Sequence, residues 1–223
     1  HLKWVFYTSA EHDESGKIVK YNIRTGKAET ILSNLGFPNG IELTDDRQAI
    51  LICEFNKRRI LKHYIKGELQ GTTEVFAENL PGEPDNIRRS SSKEETYWIG
   101  IAIARNAQKP SFFYDDLAQY PKMKIVLLRL LYHFGTSIEW IGAIFNSDLI
   151  KELAFYIRTG NIIIDSMANY GLAIELNQSG QIIQSLHSPD GKTVLLSEVR
   201  EVIQEGKKVV YLGSYLNNYL GRL

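Results

Sequence analysis

Short runs rich in β-branched, aromatic and aliphatic residues recur along most of this chain, bounded by Gly, Asn, Asp or Ser. The first candidate strand covers 4–8. Another covers 17–22, after Glu14-Ser15-Gly16, and Thr25-Gly26-Lys27 supplies a turn before a run at 29–32. Three short strands joined by tight turns predict a meander. A second unit reads 40–43, 49–53, 59–64 and 73–76. A third opens at 85–87, continues at 97–101, and resumes only at 171–176 and 181–186. The last covers 194–199 and 208–213, and Tyr219-Leu220 follows with the pattern still running. Four-strand units spaced roughly 40–50 residues apart mark propeller blades. A β-sandwich also uses many short strands, so the periodicity alone leaves both architectures open.

From 111 to 157 the period changes. Apolar positions crowd 123–131 too densely for a helix facing water, so a helical insertion within one blade-like unit is expected to pack on something. An ordinary packed helix pair, a lid over one propeller face and docking on a membrane surface are the three readings this pattern allows.

Composition narrows the class. With 223 residues, 43% of them hydrophobic, the chain can bury a sizeable core as one domain. Lys plus Arg and Asp plus Glu number 26 each, and no basic stripe with interleaved aromatics is present, so nucleic acid is not an expected partner. Cys53 is the single cysteine, which excludes an internal disulfide and a multi-cysteine zinc site. No apolar run approaches the roughly 18 residues of a membrane span. The chain starts at His1, almost directly on a strand-like run, and is expected to lack N-terminal blades. Asn177-Gln178-Ser179 forms a sequon, making Asn177 a candidate glycosylation site in a secretory protein.

Two polar loops carry the candidate chemistry. Phe37-Pro38-Asn39-Gly40 and Pro84-Asp85-Asn86-Ile87 open successive units, with Asn39 and Asp85 separated by 46 positions, about one blade. Equivalent loops would face the same central channel. Asn amide oxygens and an Asp carboxylate are hard ligands of the type Ca²⁺ prefers. Pro-Asn-Gly and Pro-Asp-Asn are also ordinary turn chemistry, and the spacing leaves that reading open. His187 and Asp190 are the local acid–base candidates, although a lone His at a strand end is usually structural. Glu54 reads as a strand-end carboxylate paired with Arg58 or Arg59. Cys53 reads as a small core residue.

The segment from Gly36 to Gly100 resembles the strictosidine synthase-like family, its animal branch above all. The residues that carry the likeness are Phe37-Pro38-Asn39-Gly40, Ile52-Cys53-Glu54 and the run from Arg59-Ile60-Leu61 to Lys66-Gly67. They continue as Phe76-Ala77-Glu78-Asn79-Leu80-Pro81-Gly82-Glu83-Pro84-Asp85-Asn86-Ile87-Arg88 and Tyr97-Trp98-Ile99-Gly100. Ser185 to Gly191 and Tyr211-Leu212-Gly213-Ser214 extend it toward the C-terminus.

The resemblance implies an all-β fold, a six-bladed β-propeller of which residues 1–223 would supply about four blades as one partial domain. It implies a channel Ca²⁺ with Asn39, Asp85 and Asn86 among its ligands, further ligands lying upstream. The implied activity is hydrolysis of a small-molecule aryl ester or lactone; a non-catalytic binding or adhesion module is the alternative. Membrane anchoring through a segment outside this chain, facing the secretory lumen or cell exterior, is also implied. Synthase-type condensation uses a last-blade Glu. That position falls on Ser197 here, with Glu198 next to it and, by strand alternation, on the opposite face.

Overall fold

The computed structural model of the chain describes residues 5–91, 95–108, 110–164, 167 and 169–223. These form two compact units, one drawn from the described residues of 14–105 and 169–223 and the other from those of 5–13 and 106–167. The larger is a succession of antiparallel meanders. A two-stranded sheet pairs β1 (Gly16–Asn22) with β2 (Lys27–Leu35). A four-stranded sheet follows in chain order: β3 (Pro38–Leu43), β4 (Ala49–Glu54), β5 (Arg59–Tyr64) and β6 (Thr73–Ala77). The next contains β7 (Gly82–Arg89), β8 (Tyr97–Ala104), β9 (Gly171–Leu176) and β10 (Ile182–Ser188). The last holds β11 (Leu196–Gln204), β12 (Lys207–Ser214) and β13 (Gly221–Arg222).

Strand alternation explains how the sheets stack. Every residue of β4 and of β9 is buried, so both faces of these strands are covered. On one face of β4, Ile50 and Ile52 pack with Leu35 of β2. On the other, Leu51 and Cys53 share a core with Ile87, Ile99, Leu172, Ile174 and Leu176 of the third sheet. Ile101 of β8 joins that same core. Trp98, on the opposite face of β8 from Ile99, turns to Leu196, Val199 and Leu212 of the last sheet. Each side chain buried this way contributes roughly 1.5–3 kcal/mol.

Two buried carboxylates fasten the layers. Glu54, closing β4, accepts from the Gly36 amide at 2.7 Å and from Arg59 at 2.5 Å, realising the strand-end pairing expected of it. Glu201 of β11 is fully buried and accepts from Ser90 (2.6 Å), from the Trp98 indole (3.1 Å) and from Lys208 (3.0 Å). Cys53 is fully buried, and burial drives its thiol pKa well up, as a core cysteine requires.

The smaller unit is helical: α1 (Val5–Ala10), α2 (Pro121–Ile144), α3 (Asp148–Arg158) and α4 (Asn161–Ile164). Pro121 stands in the first turn of α2, where its missing N–H costs no helical bond. α2 and α3 form a hairpin with Gly135 at the contact, where a Cβ would stand 2.8 Å from Arg158 Cγ. One expectation is corrected here. Of the strand expected over 4–8, Trp4 lies outside the described residues, and the remainder belongs to α1. Its β-forming side chains are overruled by tertiary contacts: the Tyr7 hydroxyl donates to the Ile157 carbonyl at 2.8 Å, and its ring meets Tyr132 edge-on at 5.8 Å.

Candidate functional site

β3, β7 and β11 are the first strands of three successive sheets, and β7 lies beside both of the others. All three break register at the corresponding place. The breaks fall between Pro38 and Ile41 opposite β4, between Pro84 and Ile87 opposite β8, and between Leu196 and Glu198 opposite β12. In each, the first strand advances one residue more than its partner, which is a β-bulge. Proline suits the first two bulges because it has no N–H to give to a ladder. Bulges re-aim side chains, and these hold Asn39-Gly40, Asp85-Asn86 and Ser197-Glu198.

Gly40 allows the backbones of β3 and β7 to approach. A Cβ there would lie 2.5 Å from the Asp85 carbonyl oxygen and 2.7 Å from Asn86 Cα. Asn39 and Asp85 are thereby brought together, with the Asn39 side chain favouring the ionised Asp85 carboxylate. Burial pushes the Asp85 pKa up to about 6. Asn39 opposes this, Glu198 adds to it by like charge, and Arg88 opposes it. Arg88 also pairs with Glu198 at 2.8 Å. Burial raises Glu198 too, against the attraction of Arg88. Asn86 is half-buried within the same bulge as Asp85.

The outcome is a cluster of Asn39, Asp85, Asn86, Arg88 and Glu198. The first three are the residues singled out by spacing and resemblance; Arg88 and Glu198 are additions. Alternation assigned Glu198 to the face opposite Ser197, and that argument fails at the bulge. Ser197 is the extra residue, with its hydroxyl 3.4 Å from the Gly213 carbonyl, while Glu198 reaches Arg88.

His187 and Asp190 do not join the cluster. His187 lies on β10, at the far edge of its sheet from β7, with its ring nitrogens 2.8 Å from the Tyr170 hydroxyl and 2.8 Å from the Ser185 hydroxyl. Asp190 accepts from Ser188 at 2.7 Å, and that bond first of all holds its carboxyl below the usual range. Both border a cleft of about 440 Å³ with Gly171, Leu186, Leu196 and Leu212. Asn177 sits in the β9–β10 turn, its side-chain oxygen accepting from the Ser179 and Gln181 amides.

The cluster can be tested against a hard cation by its donors. Two amides and two carboxyls supply oxygen, and the Asp85 carboxyl, desolvated with only partial compensation, is one that a cation would return to its ionised form. The residues fit Ca²⁺ in kind. Four side chains are fewer than the roughly six to eight oxygens Ca²⁺ takes, and among the described residues no group of three or more His, Cys, Asp and Glu forms a metal cluster.

The strictosidine synthase family model matches residues 1–68, which include Asn39. Adipocyte plasma membrane-associated protein of Bos taurus is 33% identical over 215 residues, covering 96% of this chain and 44% of the relative. The chain is thus similar to the strictosidine synthase-like family over these stretches. Its relatives lie in the animal branch: the human adipocyte plasma membrane-associated protein is 32% identical, with 96% of this chain and 43% of the relative covered, and Drosophila melanogaster hemomucin is 26% identical, with 94% and 35% covered. The chain thus spans less than half the length of these relatives. Among solved structures, a luciferin-regenerating enzyme matches with TM-score 0.48 at 11% identity, covering 90% of this chain and 44% of that one. A calcium-binding regucalcin of Agrobacterium tumefaciens matches with TM-score 0.46 at 10% identity, covering 93% and 48%. No described helix is long and apolar enough to cross a membrane.

Proposed function

We propose that the whole protein is a six-bladed propeller that hydrolyses aryl esters or lactones, with Ca²⁺ held where the bulged first strands converge. The observation that carries this reading is the meeting of Asn39, Asp85 and Glu198 from three successive sheets, with the Asp85 pKa pushed up to about 6 by burial. Such an ion, when bound, supplies Lewis-acid polarisation of a carbonyl and stabilises the oxyanion. Asp85 and Asn86 would hold it together with Asn39. Arg88 neutralises Glu198 and keeps the second carboxylate oriented. No residue of this chain is assigned the water-activating base. The names of the relatives support membrane association of the whole protein.

One observation favours the alternative of a non-catalytic binding module: Arg88 already pairs with the Glu198 carboxylate at 2.8 Å. Condensation chemistry is disfavoured because Glu198 is held in an ion pair with Arg88. Phenyl acetate hydrolysis by the full-length protein separates the readings. Activity lost both on chelation and in Asp85→Ala supports the hydrolase. Activity unchanged by both treatments sinks it, and calcium-dependent thermal stability without turnover establishes the binding module.

A further inference from the structure

α2 presents an apolar face to solvent as well as to its own unit. Leu128, Gly135 and Gly142 mark the buried side. On the opposite side Val126, Leu130, Trp140 and Ile144 are 55%, 60%, 69% and 57% exposed, flanked by Met123 and Phe134. Their spacing places them in one stripe along the helix. So extended an apolar stripe is costly in water and calls for an occupant.

The charges around the stripe identify its chemistry. Lys122 and Arg129 are exposed on α2, and His133 lies between them and the second half of the helix. The helix carries one acid, Glu139, which is ion-paired with Arg158. Arg129 also meets Glu11 at 3.2 Å while two-thirds exposed. An exposed face combining aliphatics, Trp and basic residues without an unpaired acid is complementary to an anionic, apolar-cored surface. α2 does not qualify as a membrane span. We propose that α2 lies in the plane of an anionic lipid bilayer, with Val126, Leu130, Trp140 and Ile144 buried below the headgroups and Lys122 and Arg129 among them. This contact is separate from the bulged-strand site and does not depend on the hydrolase reading.

Flotation of the 223-residue chain with phosphatidylcholine vesicles, with and without about 30% phosphatidylserine to set a negative surface potential, tests the proposal. The chain is expected to float with the anionic vesicles. Val126→Glu with Leu130→Glu should lower binding at least about tenfold, and Lys122→Glu about fivefold, because each basic residue near such a surface contributes about 1 kcal/mol. The substituted residues face solvent, and unchanged circular dichroism confirms that the variants fold. Failure to float with either vesicle, or equal flotation of the double variant, overturns the proposal. So does a concentration-dependent dimer, abolished by the same double variant, that forms without any vesicle binding.

Discussion

Glu201 shows how much a single buried carboxylate can organise. Burial favours its neutral form, yet the hydrogen bonds from Ser90, Lys208 and Trp98 outweigh that and hold its pKa below the usual range. A depressed folded-state pKa contributes stability above the unfolded value of about 4.3, and that contribution is lost as pH falls. Glu201→Ala should therefore cost about 2–4 kcal/mol in denaturant melts at pH 7, with the difference shrinking below pH 4. Asp85 has the opposite sign. Its pKa of about 6 means that the folded state holds a proton longer than the unfolded chain, so its ionisation destabilises as pH rises from about 4 to 6. In chelator-treated protein, Asp85→Asn is expected to raise the melting temperature at pH 7 and to leave it unchanged below pH 4. A lower melting temperature at pH 7 would show that Asn39 and Arg88 more than compensate the burial.

At the level of strands, short apolar runs revealed most of the larger unit, because β4, β8 and β9 pack on both faces and are written largely in aliphatic and aromatic residues. Asn39 and Asp85 were equally legible, since each follows a proline at the start of successive four-stranded sheets. Glu198 was not. Alternation holds only while register holds, and the extra residue Ser197 breaks it. The segment at 5–8 was misleading for another reason: its propensity is that of a strand, and Tyr7's contacts with Ile157 and Tyr132 decide for a helix. The bulges also make a demand on β3. Gly40→Ala would drive a methyl into the Asp85 and Asn86 backbone, and the strain should cost about 1–3 kcal/mol. Any calcium-dependent stabilisation should weaken with it, which titration calorimetry on the full-length protein can measure.

For the molecule as a whole, the connection between β8 and β9 sets an order of events. These strands are hydrogen-bonded neighbours, with Ile101 opposite Leu172, yet the chain between them leaves to build most of the helical unit before it returns. Joining them by a flexible segment of that length, rather than a hairpin turn, raises the entropy cost of closure by on the order of 2–3 kcal/mol. Replacing 106–168 by a short turn should thus accelerate refolding of the β-unit, read by stopped-flow fluorescence of Trp98, while its native circular dichroism persists. Slower refolding would mean that the helices form first and deliver the two strand ends already close together. In either case a ribosome cannot complete the third sheet by adding one hairpin after another. Its outer half, β9 and β10, is synthesised only after α2, α3 and α4. The faces of β7 and β8 that end up buried stay exposed during that interval, and a nascent chain would need protection there most of all.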